Sequence, residues 1–195
     1  MNFVDSKYIQ TLEIKQSKFI AHLVPYFLYK KTLKALKEKH PKARHFVTAS
    51  RHLNEFNQIV EHSSDDGEPK GTSGKPTLIV LQGADIINAA IITVRYFGGT
   101  KLGTGGLVRA YSDATNLVLA SAILLEYKEE YVKEISFSYT HLRKIEYECG
   151  IFKIDIIEKS FDTLVVFKIK SDEQNLQDFF KKLATFLEQH FPYPT

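Results

Sequence analysis

The sequence has a single cysteine, Cys149, among 195 residues, which excludes an internal disulfide and any cysteine-based metal site. Long apolar runs are missing as well. The longest, Ala89 to Val94, contains Thr93 and is far too short to cross a bilayer. The N-terminus lacks the basic-then-apolar pattern of a signal peptide, since Asp5, Lys7 and Glu13 are spread through it. These absences point to a cytoplasmic protein with no membrane partner. Excess charge is scarce too: the net value is +3, less than the strongly basic face by which a purely charge-driven nucleic-acid binder is recognised. That small excess is unevenly placed. Residues 1–134 hold 18 Lys and Arg against 14 Asp and Glu, whereas residues 135–195 hold 8 against 9. Attraction to phosphate is therefore expected from the N-terminal part.

Glycine is nearly absent outside one region. Nine of the ten glycines lie between Gly67 and Gly106, and five fall in the nine residues from Gly98 to Gly106. Glycine loses the most conformational freedom on folding, so such a cluster weakens local structure and needs a reason. Tight turns are one reason; a backbone that must come close to something else is another. The cluster sits inside Arg95-Tyr-Phe-Gly-Gly-Thr-Lys-Leu-Gly-Thr-Gly-Gly-Leu-Val-Arg-Ala-Tyr111, with Arg95, Lys101 and Arg109 as permanent cations around it.

With 44% hydrophobic and 25% charged residues, the chain has an ordinary globular balance, and its length allows one large domain or two small ones. Residues 8–24 read as extended, ended by Pro25. Residues 28–39 read as a helix with Leu28, Leu33 and Leu36 on one face and Lys30, Lys31, Lys34, Lys37 and Lys39 on the other. That lysine face could meet phosphate or an acidic protein, or simply water. His45–Leu53 and Phe56–Glu61 read as a hairpin turning at Asn54-Glu55, and 63–75 as a loop. A short helix follows, with Pro76 in its first turn, Ser73 or Thr72 as caps and Gly83 at its end. Ala89 to Phe97 reads as a buried strand, and about 104–125 as a helix. On that helix Leu107, Ala110, Tyr111, Ala114, Leu117, Val118, Ser121 and Leu124 are expected to face the core, opposite Arg109, Asp113 and Asn116. The charged stretch from Glu126 to Glu134 is the expected boundary between domains at 1–128 and 132–195. Beyond it the order strand, helix, strand, strand, helix, then a terminal strand suits a small split-βαβ domain. The fold class is α+β.

A strand ending at Phe97, a glycine turn and a helix starting at Thr104-Gly105-Gly106 would aim unpaired N–H groups outward. Gly98, Gly99, Gly103, Gly105 and Gly106, with Arg95, Lys101 and Arg109, form the candidate anion site, and Lys70 and Lys75 could join it from the other loop. The alternative is that the glycines only let the turn close. The phosphate-loop pattern fails, because Pro69 and Pro76 occupy positions where it needs glycine and a hydroxyl, and the dinucleotide pattern fails too. Asp65, Asp66 and Glu68, with His45, could instead hold a metal or act as acid and base, but no metal motif matches their spacing, and acids beside glycine and proline also form turns. No cofactor or metal is expected. Cys149 reads as a buried bystander, and Phe97 and Tyr111 as core.

Asp-Asp-Gly-Glu-Pro-Lys-Gly-Thr-Ser-Gly-Lys-Pro (65–76) and the segment Arg95 to Tyr111, in this order and separation, closely resemble the signatures of the Impact/YigZ family in its bacterial two-domain form. Ser17-Lys-Phe-Ile-Ala and His45 also sit where that family has similar residues. The resemblance implies an N-terminal domain similar to the second domain of ribosomal protein S5 and to domain IV of elongation factor G. It implies a ferredoxin-like C-terminal domain similar to the last domain of that factor. Eukaryotic relatives are linked to translational control through competition for an activator of a kinase acting on initiation factor 2, and they carry an extra N-terminal interaction domain for which this chain has no room. For bacterial members the resemblance implies association with RNA or the ribosome. The expectation is thus a non-enzymatic regulator of translation. A hydrolase or phosphotransferase using Asp65, Asp66, Glu68 and His45 stands as one alternative, and a protein-interaction module with a translation-related partner as another.

Overall fold

The structure, a computed structural model, describes the backbone of residues 1–190 and the side chains of residues 1–185. The chain divides into two compact units, Met1–Tyr127 and Lys128–Thr195. No described helix is long and apolar enough to cross a membrane.

The first unit runs β1 (Asn2–Phe3), β2 (Tyr8–Ile14), β3 (Ser17–Pro25), α1 (Tyr29–Lys39), β4 (His45–Leu53), β5 (Ile59–Ser64), α2 (Gly74–Gly83), β6 (Ala89–Tyr96), α3 (Gly103–Ala120) and β7 (Leu125–Glu126). Five strands form one antiparallel sheet in the order β2-β3-β6-β4-β5. The expected extended stretch 8–24 is in fact a hairpin. Its turn residues Lys15 and Gln16 both lie in the left-handed region, φ 46° and 63°. That geometry suits a two-residue hairpin but normally draws Asn and Gly, so a Lys-Gln pair carries no turn signal.

Period-two alternation divides the sheet's two faces. Phe19, Ala21, Leu23, Val47, Ala49, Ala89 and Ile91 pack with Leu81 of α2 and with Leu107, Ala110, Tyr111, Ala114 and Val118 of α3. The alternate residues Phe46, Ile92 and Val94, with Ile20, pack against Leu36 and Leu33 of α1. Thus α1 covers one face, and α2 and α3 the other. Both crossovers, β3-α1-β4 and β5-α2-β6, join strands that run parallel, each pair flanking one intervening strand. They run in opposite senses on oppositely directed strands, so equal handedness would place both helices on the same face. They lie on opposite faces, so one crossover is left-handed, against the strong right-handed rule.

Helix α3 is shorter than expected because residues after Ala120 leave it to reach β7, which pairs with β1. Leu117 and Leu124, expected in the core, are 39% exposed, and Ser121 is exposed. Thr115 and Leu119 are buried in their place. Phe97, also expected in the core, is 47% exposed because the strand ends one residue before it. The start of helix α1 is built against its own electrostatics, although Lys37 and Lys39 in its last turn suit the dipole. Its N-cap position is Leu28 with no side-chain cap, its first turn has no acid, and lysines recur three and four residues apart. Each such like-charge pair costs about 0.2–0.5 kcal/mol on an exposed helix.

The second unit runs β8 (Glu130–Phe137), α4 (Leu142–Ile151), β9 (Asp155–Phe161), β10 (Val165–Asp172) and α5 (Glu173–His190). Its sheet order is β8-β10-β9, antiparallel throughout. Phe137, Val165, Phe167 and Ile169 meet Ile145 and Cys149 of α4 and Leu176 and Phe179 of α5 in one core. Cys149 is buried, and burial pushes its thiol up to about 11, which suits an inert interior group. The other sheet face carries a charge ladder, with Lys168 bonded to Glu158 and Lys170 to Glu130, each at 2.7 Å. The expected terminal strand falls beyond the described residues.

Candidate functional site

The five glycines between Gly98 and Gly106 are there for different reasons. A Cβ on Gly98 would lie 2.0 Å from the Gln16 carbonyl carbon and 2.2 Å from the Ser17 nitrogen. The backbone N–H of Gly98 also donates to the Ser17 hydroxyl at 3.1 Å. Gly98 therefore pins the glycine loop onto the β2–β3 turn. Gly99 and Gly103 have φ of +87° and +74°, a left-handed backbone that disfavours side chains. A Cβ on Gly106 would come within 3.0 Å of the Leu102 Cβ. Gly105 has no such reason: its φ is not left-handed, and nothing lies within 4 Å of a Cβ placed there.

Gly103, Thr104, Gly105 and Gly106 make up the first turn of α3, behind an N-cap Leu102 with no side-chain cap. The N–H groups of Gly103, Thr104 and Gly105 precede the first intrahelical bonds and sit at the positive end of the helix. All three residues are exposed. Lys101 and Arg109 flank the turn, and both are exposed. Lys70 and Lys75, in the other loop and at the start of α2, are exposed as well. Among the described residues none of these four cations forms an ion pair.

Arg95 behaves otherwise, and this corrects its expected place among the surface cations. Its phase on β6 turns it toward α2 and α3, where it is 5% exposed. Its guanidinium bonds the Glu68 carboxylate at 2.5 Å and lies over the Phe19 ring, 5.3 Å from the centroid. The Tyr111 hydroxyl donates to the same Glu68 oxygen at 2.8 Å. Burial, reinforced by the Glu68 charge, raises the Tyr111 phenol far above its ordinary range. Glu68 is thus the bolt that fastens the loop after β5 to the end of β6 and to α3, bringing the two glycine-bearing segments together.

The remaining acids of the enzymatic alternative are also engaged. Asp65 accepts from the Ser73 hydroxyl at 2.6 Å, the Gly74 N–H at 2.8 Å and the Ser73 N–H at 3.1 Å through one oxygen. Its other oxygen accepts from the Gly71 N–H at 2.7 Å. Burial alone would raise its pKa, but these bonds outweigh it and hold the carboxyl below its ordinary value. Ser73 holds the N-cap position of α2, as expected, but its side chain makes no cap bond, and Asp65 supplies the acceptor from a distance. Asp66, with φ 43°, accepts from the Phe46 N–H at 2.6 Å, and its carbonyl lies 2.8 Å from His45 Nδ1. A carbonyl can only accept, so that nitrogen carries the proton. Gly74 is required because a Cβ there would lie 2.7 Å from the Ser64 carbonyl carbon. No group of three metal-ligating side chains is placed to hold an ion among the described residues.

Sequence reasoning overlooked Lys15. It is exposed in the β2–β3 turn, whose next residue touches Gly98, so it adds a cation beside the loop. The only advance signal was the Ser17 motif.

Fold and site together define a two-unit α+β protein whose N-terminal unit presents a glycine-lined helix start between exposed cations. The Impact N-terminal domain family matches residues 15–119, and a domain family of unknown function, DUF1949, matches residues 135–188. An IMPACT family member of Haemophilus influenzae is 33% identical over 181 residues, 88% of this chain and 85% of the relative. The IMPACT family member YigZ of Escherichia coli K12 is 33% identical over 179 residues, 89% and 87% of the two chains. A crystal structure described as that of a hypothetical protein superposes with a TM-score of 0.69 at 30% identity, covering 95% of this chain and 91% of that one. The chain belongs to the IMPACT family.

Proposed function

We propose that this protein modulates translation by binding RNA or a ribosomal surface through the first turn of α3 and the cations around it. The observation that carries the reading is Gly105: glycine in a helix is about 0.8–1.0 kcal/mol less favourable than alanine, and no internal contact or dihedral calls for it there. An approaching phosphate would call for it, since the oxygens must reach the N–H groups of the turn. Lys101, Arg109, Lys70 and Lys75 add sequence-neutral attraction, the kind of contact that gives affinity without base selection. Translational control is the function that the family resemblance implies.

The second unit supports the assignment by contrast. A sheet that reads RNA offers aromatic rings for stacking bases. Here the open face carries Glu130, Glu158, Lys168 and Lys170 locked in ion pairs. Phosphate contact accordingly falls to the first unit. Asp65, Asp66 and Glu68 are occupied in holding the loop together, which takes the support from a hydrolase reading.

The test is co-sedimentation with ribosomes at low and moderate salt, comparing the wild type with Lys101→Ala plus Arg109→Ala. Loss of two phosphate contacts lowers the log–log salt slope by about 1.4–1.8. Binding that is indifferent to salt would sink the proposal. Retained salt-independent binding to a protein partner would favour an interaction module instead.

A further inference from the structure

A second charged surface lies on the other side of the sheet and takes no part in the site above. Every exposed residue of α1 except Ala35 and Glu38 is a lysine. Lys30, Lys34 and Lys37 stand four and three residues apart, so they form one row along the helix, spanning about 10 Å at the helical rise. With Leu33 and Glu38 they line a shallow groove. Among the described residues, no carboxylate pairs with any lysine of α1 or with the exposed Lys42 and Arg44 just beyond it. Two of the lysines, Lys30 and Lys31, occupy the first turn, where a cation opposes the helix dipole. Lys37, in the last turn where a cation suits the dipole, lies 5.7 Å from the Phe46 ring centroid, whereas Lys30 and Lys34 have no carboxylate partner among the described residues.

We propose that the outward face of α1 is a second phosphate-backbone contact, opposite the glycine loop, so that the N-terminal unit holds two segments of RNA at once. The chemistry favours RNA over an acidic protein. Lysine is depleted in protein interfaces, which rely on buried aromatic or arginine anchors, and the outward face of α1 offers only Ala35 as an apolar exposed residue. A phosphate backbone needs no such anchor: unpaired ammonium groups release its counterions and supply the affinity. The two contacts are separable because α1 and α3 lie on different faces of the sheet.

The test measures stoichiometry and salt dependence with a short mixed-sequence RNA duplex by sedimentation velocity, using the full chain. The wild type is expected to bind a second equivalent of duplex at low salt. Lys30→Gln, Lys34→Gln and Lys37→Gln together should abolish that second equivalent and remove about 2–3 units of salt slope from the summed binding. Circular dichroism of the variant establishes that it is folded. Lys101→Ala plus Arg109→Ala, run in parallel, reports on the glycine loop alone. Loss of one equivalent only in the α1 variant would uphold this proposal and remove the glycine-loop reading; loss only in the loop variant would do the reverse. An α1 variant unchanged in stoichiometry and slope overturns the proposal. So does one that keeps RNA binding yet loses binding to polyglutamate, which would mark α1 as a surface for acidic protein.

Discussion

Replacing Gly105 by alanine should make the protein more stable and worse at its task, two effects that seldom coincide in a purely structural residue. Gly105 lies in the first turn of α3 with ordinary helical backbone and open space where a side chain would go. Alanine there relieves a propensity penalty of about 0.8–1.0 kcal/mol, somewhat less at a helix end than in the middle. For a chain of this size a gain near 1 kcal/mol raises the melting midpoint by about 2–4 °C. The new methyl group would stand where an anion has to approach the N–H groups of Gly103, Thr104 and Gly105. Overpacking of this sort costs about 1–3 kcal/mol, and every 1.4 kcal/mol is about tenfold in affinity. Thermal melts read the first effect and ribosome co-sedimentation the second. A stabilised variant with unchanged binding refutes the claim that a ligand explains this glycine. A destabilised variant refutes the prior step, that nothing inside the protein requires it.

Gly98→Ala should behave oppositely, failing to accumulate as folded protein, because its Cβ would meet backbone at Gln16 and Ser17 that has no side chain to rotate away; soluble yield and a chemical melt are the readouts. Arg95→Met should cost about 3–5 kcal/mol in a urea melt by leaving Glu68 charged and unpaired in the interior, and a loss under 1 kcal/mol would contradict the buried pair. Asp65→Ala removes the acceptor for four hydrogen bonds; at about 1.5–3 kcal/mol for each bond to a charged group, it should loosen the loop and the start of α2, seen as faster amide exchange at Ser73 and Gly74. Finally, burial first, and then the nearby charges of His40, Lys39 and Lys7, lower the His22 imidazole from 6.5 to about 4. The unfolded chain therefore binds the proton that the folded one refuses, and the His22 share of stability should fall as pH drops from about 6.5 to about 4 and then stay constant, while the depressed Asp65 carboxyl continues the loss at lower pH. Burial shifts His40 and His52 the same way, so His22→Leu should flatten the profile only in part; no flattening would contradict the assignment.

Much of the fold was legible because period and punctuation are local. The apolar spacing in α1 and α3, the continuous run of β6, and Pro25 and Gly83 as stops all act within a few residues. So did the glycine cluster itself, whose density is visible without any partner. The Lys15-Gln16 turn was not legible, since its left-handed backbone is imposed by strands closing around it and not by residues that prefer it. Nor was the end of α3 at Ala120, where the helix yields to the pairing of Leu125 with Phe3, more than a hundred residues earlier in the chain.

The sequence by itself determined most of the longer elements, that nearly all backbone freedom is concentrated in two neighbouring loops, and that the excess of cations lies in the first two thirds. Tertiary structure decided what each of those residues is for. Arg95, Lys101 and Arg109 are equivalent in the sequence, yet strand phase drives Arg95 inward onto Glu68, 27 residues away, and leaves the other two on the surface. Gly98 and Gly105 are equally permissive residues, but one is pressed against a turn 81 residues distant while the other faces open space. The physical reason is the same in each case: burial and close approach depend on contacts between segments far apart in the chain, and a local pattern carries no record of them.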